Sequence, residues 1–168
     1  GIERVLYHEY DSPEYFESLR QKGYAEELLN HKAIHVPDVP AEGPGEHLDS
    51  YFPAKYKKED SECRYLTETA IEYVRQRGER GDARGWALSL NYIKPHPPNV
   101  CCDPYHSMYM EADFPAAARR PREIETPHPY WQFHWDHLSE PDLTNERHRH
   151  EYAAAYYGMI SEVDENLG

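Results

Sequence analysis

This sequence lacks an excess of positive charge and lacks long apolar runs. Its 168 residues contain 18 Lys and Arg against 31 Asp and Glu, which gives a net charge of -13. Because neutralising phosphate groups requires an excess of basic residues, the composition excludes a non-specific nucleic-acid surface, and it also disfavours an anionic membrane surface. No stretch approaches the roughly 18 consecutive apolar residues of a membrane-spanning helix.

Cysteine is also scarce, with Cys63, Cys101 and Cys102 as the three examples. An odd number, with two residues adjacent, does not build a disulfide framework and is typical of a reducing compartment, so we expect a cytoplasmic protein. A periplasmic location stays open, because the chain begins at Gly1 rather than Met and a signal could precede it. A thiolate metal site would need a fourth ligand, and no C-x-x-C pair is present.

The apolar content is low, and aromatic rings supply much of it. Hydrophobic residues make up 39% of the chain, which holds 14 Pro and 15 Tyr, and the mean hydropathy is -0.97. The length is that of one domain. We therefore expect a core that packs largely through rings.

Periodicity and capping residues predict a series of segments along the chain. They are a helix at 13–22, a loop-rich stretch at 30–60, a helix at 61–77, a strand at 86–93, an irregular pocket-rim segment at 94–144 and a helix at 145–167. One strongly apolar strand cannot form a covered sheet by itself. We therefore expect an α/β fold in which residues 1–168 are an internal portion of a larger domain, with one central strand and packing helices.

The last predicted helix begins at Thr144 or Asn145 and has two different faces. Its predicted apolar stripe comprises Tyr152, Tyr156, Met159, Ile160, Val163 and Leu167. The charged face carries Glu151, Glu162 and Glu165, and we interpret these carboxylates as solvent-exposed.

The junction between the predicted strand and the proline-rich loop 94–98 is the most informative local feature. Ligands of open α/β sheets gather at the carboxyl ends of strands, where this junction places Lys94 and His96. Pro97 restricts the backbone of His96, so the imidazole is presented with little freedom. A small anion-binding site is one interpretation, and a plain surface loop fits the local sequence about as well.

Other patterns of catalytic or metal-binding residues give weaker signals. The histidines at 134–137 and 148–150 lack the spacing of zinc helices, and Ser89 is not on a G-x-S-x-G turn. Cys101 and Cys102 are better explained as small buried residues than as nucleophiles. No glycine-rich phosphate loop is present.

Four collinear stretches together resemble the sulfatase family of the alkaline phosphatase superfamily. They are LTETAIEY at 66–73, SLNYIKPHPP at 89–98, PYHSMY at 104–109 and YYGMISEVDENLG at 156–168. Within that family the chain is most similar to the branch of phosphonate monoester hydrolases and arylsulfatases.

The resemblance implies an alkaline-phosphatase-like three-layer sandwich and a hydrolase of sulfuric, phosphonate or phosphate esters. The family uses a divalent metal ion (calcium or manganese) and a formylglycine, and the substrate would be a small anionic ester. His96 falls at the position whose imidazole contacts a non-bridging oxygen or assists the leaving group, so it is the expected catalytic residue. Lys94 matches a basic position and is expected, with His96, to bind substrate.

Several family motifs are missing from these residues. There is no C-x-P-S-R, no Asp-Asp near the start and no Asp-His-Gly. We therefore expect the 168-residue chain alone to be inactive and to hold no metal. Two other interpretations stay open, a non-catalytic sulfatase-like scaffold or binding module and a histidine-rich metal-binding protein, and so does a homo-oligomer.

Overall fold

The structure, a computed structural model, describes residues 12–81, 85–116, 125–137, 143 and 145–168. Within these ranges the chain is mostly helical. The α-helices are α1 (Pro13–Gln21), α2 (His31–Ile34), α3 (Glu62–Arg80), α4 (Pro129–His137) and α5 (Glu146–Leu167). Short 3₁₀ turns lie at Glu26–Leu28, Asp49–Tyr51 and Lys58–Asp60.

The helices predicted at 13–22, 61–77 and 145–167 correspond to α1, α3 and α5. The Ser61 side chain accepts a hydrogen bond from Arg64 N and so caps α3. The Asn145 side chain accepts from Arg147 N at 2.9 Å and caps α5. Helix α3 extends three residues beyond the predicted end, to Arg80. It ends there because Gly81, at φ 58°, takes the left-handed conformation that terminates a helix.

The strand predicted at 86–93 is not formed in the described part of the chain. Residues 85–93 have no regular secondary structure and lie against α3. There, Tyr92 shares a 2.5 Å hydrogen bond with Thr67, and the Trp86 ring meets Tyr73 edge-on. A strand needs a hydrogen-bonded neighbour, and the described residues offer just one isolated antiparallel bridge, Pro37 with Ala54. The expected α/β sheet is therefore not confirmed.

The segment 94–144, predicted as irregular, contains helix α4. Pro129 occupies its first turn, where proline is well tolerated. The nine residues of α4 alternate aromatic and polar types without a clear helical stripe, which explains why periodicity missed it. Residues 117–124, 138–142 and 144 of this segment lie outside the described residues.

The hydrophobic core lies between α1, α5 and the segment 100–105. Its buried members are Tyr15, Leu19, Ile34, Ala54, Tyr56, Val100, Cys101, Cys102, Tyr105 and Met159. Helix α5 approaches the segment closely at Gly158, where an added methyl group would come within 2.5 Å of the Tyr105 carbonyl oxygen.

No helix in the described ranges is long and apolar enough to cross a bilayer.

The buried face of α5 differs from the predicted apolar stripe. It comprises Glu151, Ala154, Ala155, Gly158, Met159 and Glu162. The prediction is confirmed for Met159, which is fully buried. It was wrong for Tyr156, Ile160 and Leu167, whose large side chains remain exposed because small residues let the helix pack closely. The carboxylates of Glu151 and Glu162 are buried because each has hydrogen-bond donors from elsewhere in the chain. The expectation of solvent exposure holds for Glu165, whose side chain is 54% exposed.

Candidate functional site

The loop at 94–98 presents His96 on the surface. The backbone N of His96 donates to the Ile93 carbonyl at 2.9 Å, which closes a tight turn. The side chain is exposed, and its Nδ1 lies 2.6 Å from the Pro97 carbonyl oxygen. Because a carbonyl oxygen can only accept, Nδ1 carries the hydrogen in this contact. Nε2 is therefore the ring nitrogen available to a ligand.

Lys94 lies two residues earlier but is directed into the protein. Its ammonium is 2.5 Å from Glu162 Oε2 and 3.0 Å from the Tyr56 hydroxyl. The Lys94 side chain is 8% exposed and that of Glu162 is 0% exposed. The structure therefore separates the two predicted site residues, one on the surface and one in a buried ion pair. Substrate binding by Lys94 stays a prediction.

Lys94 keeps its positive charge in this buried contact. Burial lowers the pKa of the Lys94 ammonium, but the acidic neighbours Tyr56 and Glu162 raise it by more, so its pKa lies well above the ordinary 10.5. Burial acts in the opposite direction on the Tyr56 phenol and raises its pKa. Lys94 is thus a cation at neutral pH, and Tyr56 is a neutral hydroxyl.

The residues that follow the loop also contact α5. Asn99 is buried, and its Nδ2 donates to the Tyr152 carbonyl of α5 at 3.4 Å. The Cys101 thiol donates to the Ala155 carbonyl of α5 at 3.8 Å. The loop that carries His96 is therefore attached to α5 on both sides.

The three thiols are buried and unpaired by disulfides. Burial raises the pKa of Cys63 and of Cys101 to about 12, and it raises that of Cys102 as well. A thiol is nucleophilic as its thiolate. These groups therefore act as core residues at neutral pH and not as nucleophiles.

The described residues do not assemble a metal site. No three His, Cys, Asp or Glu side chains among them converge as ligands. His148 Nε2 contacts the Glu46 carbonyl at 3.1 Å, and His150 Nε2 contacts the Met110 carbonyl at 2.7 Å. The side chains of His134 and His137 lie outside what the structure describes.

Sequence reasoning missed Glu162 and Tyr56, the partners of Lys94. Glu162 lies four residues after Gly158 and seven after Ala155, on the face of small residues, and this spacing is the signal that could have identified it. No comparable local signal marks Tyr56. It lies 38 residues from Lys94, within the stretch 30–60 that was expected to be rich in loops.

Comparison with known proteins gives a consistent set of relatives. No protein-family model matches the chain. The chain is 31% identical over 166 residues to the multifunctional alkaline phosphatase superfamily protein PehA of Trinickia caryophylli, and the match covers 92% of this chain and 31% of that protein.

Two solved structures share the fold. The phosphonate monoester hydrolase SpPMH of Silicibacter pomeroyi superposes with a TM-score of 0.73 and 30% identity over 93% of this chain and 31% of its own. The phosphonate monoester hydrolase of Agrobacterium radiobacter gives a TM-score of 0.72 and 26% identity over 96% of this chain and 32% of its own. The chain thus spans about a third of the length of each of these relatives.

Proposed function

We propose that the whole protein hydrolyses a small anionic ester, because the chain is similar to the alkaline phosphatase superfamily protein PehA and to two phosphonate monoester hydrolases. The substrate class is a phosphonate monoester or a related phosphate or sulfate ester. The described residues contribute part of the anion-binding surface, and His96 is the residue that contacts the anion.

The geometry of His96 is the observation that carries this proposal. Its Nδ1 is held at 2.6 Å by the Pro97 carbonyl, so the ring is oriented before a ligand arrives. In the protonated ring, Nε2 donates a hydrogen bond to a non-bridging oxygen or to the leaving-group oxygen. A donor fixed where negative charge develops contributes about a hundredfold to a thousandfold in rate. We assign the anion contact to His96 rather than to Lys94, because the Lys94 ammonium is already paired with Glu162.

The metal ion and the formylglycine that the resemblance implies do not fit the described residues. No three metal-ligating side chains converge in the described ranges, and the thiols are buried with raised pKa values. The calcium or manganese ion and the nucleophile are therefore proposed for other parts of the whole protein. On this proposal the 168-residue chain alone is inactive.

The test replaces His96 in the whole protein and measures hydrolysis of a chromogenic aryl phosphonate monoester. We expect His96→Ala to lower kcat by about a hundredfold or more, with the thermal unfolding temperature unchanged because the side chain is exposed. His148→Ala is the matched control, since that imidazole contacts a backbone carbonyl outside the loop.

Two outcomes would count against the proposal. Unchanged turnover in His96→Ala would remove the imidazole from the reaction. A whole protein that binds the ester and does not hydrolyse it would favour the non-catalytic scaffold.

A further inference from the structure

The His96 loop is held by a buried ion pair that the anion contact does not use. Lys94, at the start of the loop, places its ammonium 2.5 Å from Glu162 Oε2 in α5. The Tyr56 hydroxyl oxygen accepts a second hydrogen bond from the ammonium at 3.0 Å. The pair therefore joins the loop, the core and α5 at one point.

The Glu162 carboxylate has little else to bind. Among the described residues, Oε1 is buried and has no hydrogen-bond partner. Asn166, one turn later, bonds the backbone carbonyl of Glu162 rather than its side chain. The charge of the carboxylate is thus directed at Lys94, in an interior where poor screening makes such an attraction strong.

Lys94 and His96 are linked by a short stretch of backbone with restricted conformation. Pro95 alone separates the two residues, and its ring fixes φ. The hydrogen bond from His96 N to the Ile93 carbonyl closes the same turn at 2.9 Å. Between the two α-carbons, the Pro95 ring and this hydrogen bond restrict the backbone, so a shift of the Lys94 backbone would displace His96.

We infer that Glu162 is a positioning residue for His96, acting through the buried ion pair with Lys94 to fix where the imidazole meets the substrate anion. The inference rests on the proposed function. It gives Lys94 a structural role toward the substrate rather than direct contact. Displacing a catalytic group by about 1 Å can cost up to a hundredfold in rate, so loss of the pair is expected to reduce turnover.

A double-mutant cycle in the whole protein tests the inference. Glu162→Gln is made alone and together with His96→Ala, and kcat for the aryl phosphonate monoester is measured in all four proteins. With His96 present, we expect Glu162→Gln to lower kcat about tenfold. With His96 absent, the same substitution should change kcat by less than about twofold, because a residue that acts through His96 has nothing left to position.

Glu165→Gln is the matched control. Glu165 lies on the same helix, is largely exposed and pairs with Lys58 at 2.7 Å, so this substitution should leave kcat unchanged in both backgrounds. If Glu162→Gln does not fold, Tyr56→Phe replaces it in the cycle. That variant removes one oxygen partner of Lys94 and keeps both charges, and we expect the same non-additivity with a smaller factor.

The outcomes separate this inference from the proposed function. Equal factors in the two backgrounds, or no effect of a folded Glu162 or Tyr56 variant on kcat, would overturn the positioning role and leave the role of His96 intact. No effect of His96→Ala itself would overturn both.

Discussion

His47 Nδ1 lies 2.6 Å from Glu151 Oε1, although the two residues are 104 positions apart in the sequence. The other carboxylate oxygen of Glu151 accepts a hydrogen bond from Leu48 N at 2.8 Å. The side chain of Glu151 is 3% exposed, and the His47 ring stacks on Tyr51 at 4.0 Å. One carboxylate on α5 thus attaches the loop before the 3₁₀ turn Asp49–Tyr51 to the helix.

Replacing Glu151 should therefore destabilise the protein. In Glu151→Ala the Leu48 N–H loses its acceptor in a part-buried site, and we expect the free energy of unfolding to fall by about 1–3 kcal/mol. Denaturant unfolding of the whole protein measures the change. Glu72→Ala is the control, because the Glu72 carboxylate bonds Arg75 and Gln76 on the exposed face of α3, and solvent-exposed pairs contribute little to stability. Equal losses in the two variants would contradict the prediction.

Asp60 should make the stability of the protein depend on pH. Burial raises the pKa of its carboxyl, but hydrogen bonds from Lys22 at 2.6 Å and Tyr24 at 2.7 Å lower it by more, so its pKa lies below the ordinary 3.8. A carboxyl with a lowered pKa in the folded state stabilises the protein above its unfolded pKa, and that contribution is lost as the pH falls through the folded value.

We therefore expect Asp60→Asn to be less stable than the wild type at about pH 7 and to approach it at about pH 2. Thermal unfolding of both proteins across this range checks the trend. A difference that persists unchanged at low pH would mean that the ionised carboxylate is not the source of the stability.

Gly158 and Gly78 should respond oppositely to substitution by alanine. A methyl group on Gly158 would meet the Tyr105 carbonyl oxygen at 2.5 Å and Cys101 Sγ at 2.9 Å. Gly158→Ala should therefore destabilise by about 1–3 kcal/mol through overpacking. At Gly78 in α3 nothing lies within 4 Å of the added atom, so Gly78→Ala should stabilise by about 0.5–1 kcal/mol. Denaturant unfolding compares them, and stabilisation by Gly158→Ala would show that α5 does not pack so closely.

Capping residues and periodicity in the local sequence were sufficient to predict the long helices, but they could not predict the tertiary contacts. Ser61 and Asn145 cap α3 and α5 through hydrogen bonds to neighbours in sequence, and such contacts can be inferred from the sequence itself. The strand expected at 86–93 depends on partners that are not local. Its apolar composition was a correct observation, but composition does not supply a hydrogen-bonded neighbour.

In the candidate site, too, the local features could be predicted from the sequence and the tertiary contacts could not. The prolines around His96 indicated a constrained imidazole, and the structure places that side chain on the surface. The burial of Lys94 could not be predicted, because it depends on Glu162, 68 residues later, and on Tyr56, 38 residues earlier. A carboxylate on a helix is normally assigned to solvent. The exception arises where a distant cation meets it in the core.

The exposed apolar surface of residues 85–93 has a practical consequence. Trp86 is 45% exposed and Leu88 is 38% exposed. An exposed apolar patch of this kind favours association with other polypeptides. Preparations of the 168-residue polypeptide should therefore aggregate as the concentration rises, so biophysical measurements on it will need dilute solutions.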